Sequence, residues 1–110
     1  MTINEYQHAA LRTANANEDI ITNCALGLTG EAGEVADHVK KAMFQGHELD
    51  PEHIAKELGD ISWYVAVMAY AIGYNLEQIF QMNVDKLWKR YPEGFDAERS
   101  INREENKHAE

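Results

Sequence analysis

The stretch Asp19–Phe44, DIITNCALGLTGEAGEVADHVKKAMF, decides the fold. Its apolar residues Ile21, Ala25, Leu28, Ala32, Val35, Val39 and Met43 recur every three or four positions, the period of one helix face. Gly27, Gly30 and Gly33 interrupt the pattern. Each costs about 1 kcal/mol against alanine in a helix interior, so close helix packing or a nearby ligand has to justify them. Gln45-Gly46-His47 ends this helix, with the glycine suited to the left-handed position beyond a helix end. Asp50-Pro51 then opens another, which runs to Ile72 and stops at Gly73; Asp50 caps the free amides and Pro51 sits where its missing N–H costs nothing.

Outward from this pair the chain stays helical. Thr2 with Glu5 makes a capping-box pattern that opens a first helix running toward Asn15, and Asn15 to Asn17 reads as a break. Asn75 is placed to cap a fourth helix from Leu76 to about Arg90, closed by Tyr91-Pro92-Glu93-Gly94. Phe95 to Glu110 is polar and charged, an arm followed by a fraying end, so the expected domain is 1–103 with a disordered tail at 104–110. No stretch shows the strict alternation of a half-buried strand. The expectation is an all-α fold, a four-helix bundle in which an antiparallel hairpin is completed by oligomerisation. The oligomer follows from Ile61 to Ile72, where Trp63, Tyr64, Val65, Val67, Met68 and Tyr70 make the helix apolar almost all round. A surface helix has one apolar stripe, so this one needs cover on several sides, and a homodimer or homotetramer supplies it.

Composition narrows the partners. The 110 residues carry 19 acidic against 10 basic side chains, a formal net charge of -9, which a phosphate backbone repels; stable binding to DNA or RNA is excluded. A small phosphorylated substrate differs, because a bound divalent cation inverts the local charge. Cys24 is the only cysteine, so there is no intrachain disulfide and no thiolate metal cage. The start of the chain lacks the basic and apolar run of a signal peptide, and Ile61–Gly73 is shorter than the ~20 residues that span a bilayer. These features point to the cytoplasm and away from a membrane.

Two acidic pairs carry the chemistry. Glu31 and Glu34 lie three apart on the second helix, Glu57 and Asp60 three apart on the third, and both pairs border the apolar stripes. Residues at i and i+3 are neighbours on one helix face, and the turn around Gly46 sets the pairs opposite each other. Four carboxylates converging beside a core repel one another unless neutralised, and a hard divalent cation such as Mg2+ does this with oxygen ligands. A solvated acidic surface is the ordinary alternative for a single E-x-x-E. A di-iron bundle would instead use Glu-x-x-His, and neither pair ends in histidine. The five histidines (His8, His38, His47, His53, His108) lack metal-ligand spacing and read as surface residues.

Gly30-Glu31-Ala32-Gly33-Glu34-Val35-Ala36-Asp37 followed by Glu57-Leu58-Gly59-Asp60-Ile61-Ser62-Trp63-Tyr64 resembles the E-x-x-E…E-x-x-D signature of the MazG-like nucleotide pyrophosphohydrolases. These belong to the all-α NTP pyrophosphatase superfamily. The likeness runs from about Asn23 to Arg103 and is to the short single-domain members; Lys86-Leu87-Trp88-Lys89-Arg90-Tyr91-Pro92 resembles their basic segment. It implies hydrolysis of a (d)NTP to monophosphate and pyrophosphate. Glu31, Glu34, Glu57 and Asp60 would hold Mg2+, or Mn2+ in its place, and Glu31 or Glu34 would complete deprotonation of the water attacking the α-phosphorus. Lys86 and Arg90, four apart on one face, would neutralise the leaving pyrophosphate. Asn23, Lys41, Tyr64 and Asn83 are further candidates for the sugar, base or phosphates, and Arg99 for reaching a neighbouring subunit's site. No G-x-x-x-x-G-K-[ST] string occurs, so the phosphates have no P-loop to hold them. The alternatives are a related pyrophosphohydrolase acting on another nucleotide such as phosphoribosyl-ATP, and a non-catalytic helical oligomerisation module.

Overall fold

In the computed structural model, residues 1–15 and 19–102 are described, and they form five α-helices with no strand. These are α1 Ile3–Leu11, α2 Ile20–Phe44, α3 Pro51–Ala71, α4 Leu76–Arg90 and α5 Ala97–Ile101. The all-α class is as expected. The expected tail at 104–110, and Ala16 and Asn17 of the expected break, lie outside the described residues. Among the described residues no helix is long and apolar enough to cross a membrane. The chain divides into a unit spanning Met1–Leu76 and a second beginning at Glu77.

Local chemistry sets the helix ends. Thr2 and Glu5 close the capping box from both sides, Glu5 N–H donating to Thr2 Oγ1 at 3.1 Å and Thr2 N–H to Glu5 Oε1 at 2.8 Å. α1 stops at Leu11 rather than near Asn15. Its last turn closes in three-residue steps, with Ala9, Ala10 and Leu11 O accepting from the N–H groups of Arg12, Thr13 and Ala14, and Ala10 O also accepts from Trp63 Nε1 of α3 at 3.0 Å and from Thr13 Oγ1 at 3.2 Å. That closure ends the helix where periodicity alone would have extended it. Asp50 caps α3 as the sequence indicates, accepting from the N–H groups of Glu52 and His53, and Asp19, read from the sequence only as the start of α2, caps it by accepting from Thr22 N–H. At the far end of α3, Gly73 adopts φ +91°, Gly73 N–H reaches Tyr70 O and Tyr74 N–H reaches Ala69 O. This paired closure requires a left-handed residue that a side chain would strain.

In the first unit α2 and α3 pack as an antiparallel hairpin: Gly27 meets Tyr64, Glu31 meets Glu57 and Asp60, and His38 meets Asp50 and His53. A Cβ built on Gly27 would collide with the Tyr64 ring, so the absent side chain lets an aromatic lie against α2. A Cβ on Gly30 or Gly33 would meet nothing within 4 Å, so packing within the chain justifies only one of the three glycines. α1 closes over α3 through Gln7, whose side chain is buried. Its Nε2 donates to Ala66 O and Tyr74 O, both at 3.1 Å, and its Oε1 accepts from Leu76 N–H at 3.0 Å. The buried apolar set is small, namely Ala10, Cys24, Ala66, Val67, Ala69 and Leu76. α3 is largely covered from Ile61 to Ala69, yet Tyr70 and Ile72 remain 59% and 52% exposed.

The second unit holds α4 and the short α5, a helix that the reading of this segment as an arm did not include. Asp96 caps α5 by accepting from Glu98 N–H at 2.9 Å. Arg99 folds back on the end of α4, donating through Nε to Arg90 O at 2.5 Å and through a terminal nitrogen to Lys89 O at 3.4 Å. A guanidinium at a helix carboxyl end satisfies orphan carbonyls and faces the negative end of the dipole. Arg99 is therefore engaged with the end of α4 in its own chain.

The glycines separate by substitution. Gly27→Ala gains helix propensity but forces the Tyr64 ring aside, and a net loss of about 1–2 kcal/mol is expected, on the scale of overpacking. Gly30→Ala and Gly33→Ala gain up to about 1 kcal/mol with nothing to strike. Thermal melting of the three variants should move Tm down for the first and up for the others.

Candidate metal centre

The hairpin register carries Glu31 of α2 across to Glu57 and Asp60 of α3, and one carboxylate oxygen from each lies within 4.8 Å of the other two. Three residues advance a helix by about 300°, so the second member of a pair is turned about 60° from the first. On α3 both members still reach the common point. On α2 Glu31 reaches it, while Glu34 stands outside the triad, near enough to Glu31 to act on its carboxyl. The expected quartet is thus a triad with a fourth carboxylate beside it.

The electrostatics of the triad are unbalanced. The Glu57 side chain is only 12% exposed. The Oε2 atoms of Glu31 and Glu57 are both buried without a hydrogen-bond partner. As carboxylates these oxygens have no donor to accept from, and unpaired buried charge is costly. Either a proton held between the two acids or a cation relieves them. The Glu31 carboxyl accordingly sits above the ordinary carboxylate range, first through a hydrogen bond shared with Glu57, then through burial, then through the negative charges of Glu57 and Asp60; the contact with Glu34 opposes the shift. Three carboxylate oxygens, two of them buried without a donor, match a hard divalent cation in kind.

The neighbours of the triad were not all foreseen. Tyr6 of α1 directs its hydroxyl toward Gly59 O at 3.5 Å, and its phenol is raised by burial and then by the charge of Asp60. Nothing local in the sequence marks Tyr6, because α1 reaches α3 only through tertiary packing. Two of the five histidines are also more than surface groups. His38 Nε2 accepts from Asp50 N–H at 3.0 Å, its ring lies 4.8 Å from that of His53, and His53 Nε2 stands 3.9 Å from Glu57 Oε1.

The remaining candidates scatter. Asn23 is exposed on α2. Lys41 is paired with Asp37 one turn back at 2.8 Å, a surface pair in which the lysine charge is already answered. Tyr64 lies on Gly27 and edge-on to Trp63, with ring centroids 5.1 Å apart, so it is first an interhelix packing residue. Asn83, Lys86 and Arg90 belong to α4, spaced by three and four along one helix face, with Arg90 buried.

Comparison with known proteins fits this picture. A family model described as the MazG nucleotide pyrophosphohydrolase domain matches residues 21–95, which include both acidic pairs and the basic end of α4. The Gene 37 protein of Mycobacterium phage L5 is 37% identical over 73 residues, which make up 63% of this chain and 64% of that relative. The chain thus spans less than two thirds of the length of the curated relative it matches. No solved structure matches.

The raised Glu31 carboxyl has a thermodynamic consequence. A carboxyl whose proton is held more tightly in the folded than in the unfolded state contributes stability at low pH. That contribution is lost as pH rises through the folded value. Metal-free Glu31→Gln should therefore melt above the wild type at pH 7, and the gap should close toward pH 4.5, where the wild-type side chain is itself protonated. Melting curves in EDTA across that range test the sign.

Proposed function

This chain belongs to the MazG nucleotide pyrophosphohydrolase family, and from that premise we propose that it hydrolyses a nucleoside triphosphate to the monophosphate and pyrophosphate with Mg2+ as cofactor. The observation that carries the reading is the triad of Glu31, Glu57 and Asp60, with its two buried oxygens that accept no hydrogen bond. When bound, Mg2+ supplies charge neutralisation for the triphosphate and Lewis acidity toward water, and Mn2+ is able to substitute.

In this proposal Glu31, Glu57 and Asp60 hold the ion. Glu34, beside the triad and in contact with Glu31, is the better placed of the first pair to accept a proton from water attacking the α-phosphorus. Lys86 and Arg90 are assigned to the departing pyrophosphate, with Asn83 on the same helix face, because α4 concentrates basic groups at its end. Asn23 is kept for the sugar or base. A non-catalytic helical module gains nothing from buried, unanswered carboxylates, and this argues for an enzyme. The net charge of -9 supports a small-molecule substrate over a nucleic acid, and the lone, buried Cys24 suits a reducing cytoplasm.

The functional form is proposed to be a homodimer or homotetramer. Tyr70 and Ile72 on α3, and Leu26, Met43 and Phe44 on α2, expose apolar surface. In the second unit Val84, Leu87, Trp88, Tyr91 and Phe95 line an apolar cleft of about 470 Å3. Light scattering at micromolar concentration should give twice or four times the protomer mass of 12.5 kDa; a stable monomer would remove this part of the proposal.

Which bond breaks is the decisive measurement. Turnover of a (d)NTP in 18O-labelled water with Mg2+ should put the label in the monophosphate, leave pyrophosphate unlabelled, and cease with EDTA. Nucleoside diphosphate as the main product would overturn the reading.

A further inference from the structure

The histidines beside the triad form a constellation that the proposed chemistry does not use. Asp50 N–H donates to His38 Nε2 at 3.0 Å. The His38 ring, on α2, packs against that of His53 with centroids 4.8 Å apart and planes tilted by 33°. His53 N–H in turn donates to the Asp50 carboxylate at 3.3 Å, so backbone, ring and cap close on one another across the two helices. An imidazole with 47% of its side chain exposed would ordinarily sample several rotamers, and here its position is set from both helices. Its Nε2 faces Glu57 Oε1 at 3.9 Å, one turn along α3.

We propose that His53 is a positioning residue for Glu57, holding one carboxylate oxygen so that the other is presented to Glu31 and Asp60. Like charge on Glu31 and Asp60 pushes the Glu57 carboxylate away from the shared point. A donor at Oε1 opposes that swing and keeps Oε2, which is buried and accepts no hydrogen bond, for the shared point. A distance of 3.9 Å exceeds a direct hydrogen bond and falls within ion-pair range. Carboxylates that ligate metals are held by such outer partners, whose loss typically costs 10–100-fold in metal affinity. The inference rests on the reading of Glu57 as a metal ligand.

Isothermal titration of the metal-free full chain with Mg2+ separates the two claims. Glu57→Gln should abolish or severely weaken binding, whatever His53 does. His53→Ala should raise the Mg2+ Kd by about tenfold with little change in Tm, and His53→Gln, which carries an amide donor to the same place, should return it to within about threefold of wild type. A His53→Ala Kd within about twofold of wild type, with Glu57→Gln defective, would overturn the positioning role and spare the metal site. Equal weakness of folded His53→Ala and His53→Gln would also overturn it, since ring packing rather than a donor would then be what matters. Normal Mg2+ uptake by Glu57→Gln would remove both.

Discussion

The first unit depends on the contact between the Tyr64 ring and the bare backbone at Gly27. Two helices joined by a short turn can slide past each other by a turn with little change in buried apolar area, so hydrophobic burial alone leaves their register loose. A ring seated where a single side chain is missing has one place to go. Once 27 meets 64, the antiparallel arrangement brings 31 to 57 and 60, and 38 to 50 and 53. The acidic triad and the histidine pair beside it are consequences of one steric fit one to three turns away.

That fit works against electrostatics. The same register that makes a triad of carboxylates also buries two of their oxygens without donors, and the Glu31 carboxyl is raised in consequence. Local frustration of this kind is expected where a site is built for something other than stability. The compensation lies in the rest of the unit: reciprocal capping of α1, aspartate caps on α2 and α3, and a closed glycine turn after α3. These are short-range devices, each complete in itself, and none involves the charged cluster.

Much of this was legible in the sequence, for identifiable reasons. The caps at Thr2 and Asp50, the stop at Gly73 and the i, i+3 acidic pairs are local patterns, and local patterns survive into the structure. What was not legible was long-range. The early end of α1 is braced by Trp63, 53 residues downstream of the carbonyl it donates to. Spacing places Glu34 beside Glu31, but whether both reach one point depends on how α2 is rolled against α3, and only Glu31 does. Tyr6, His38 and His53 gain their meaning from partners on other elements, and Arg99 from carbonyls at the end of α4. Gly30 and Gly33 remain without a packing reason within the chain.

The buried side chain of Gln7 has a consequence for how the molecule is made. Its three partners lie 59, 67 and 69 residues further along, with the last on the first residue of α4. Until Leu76 has left the ribosome, the oxygen of that amide has no donor, and burying it earlier would strand a polar group. The α2–α3 hairpin, whose closing turn spans only a few residues, carries the smaller loop-closure entropy and forms first. α1, synthesised before the hairpin it will cover, thus completes the contacts of Gln7 only once that hairpin and the turn beyond it have been made.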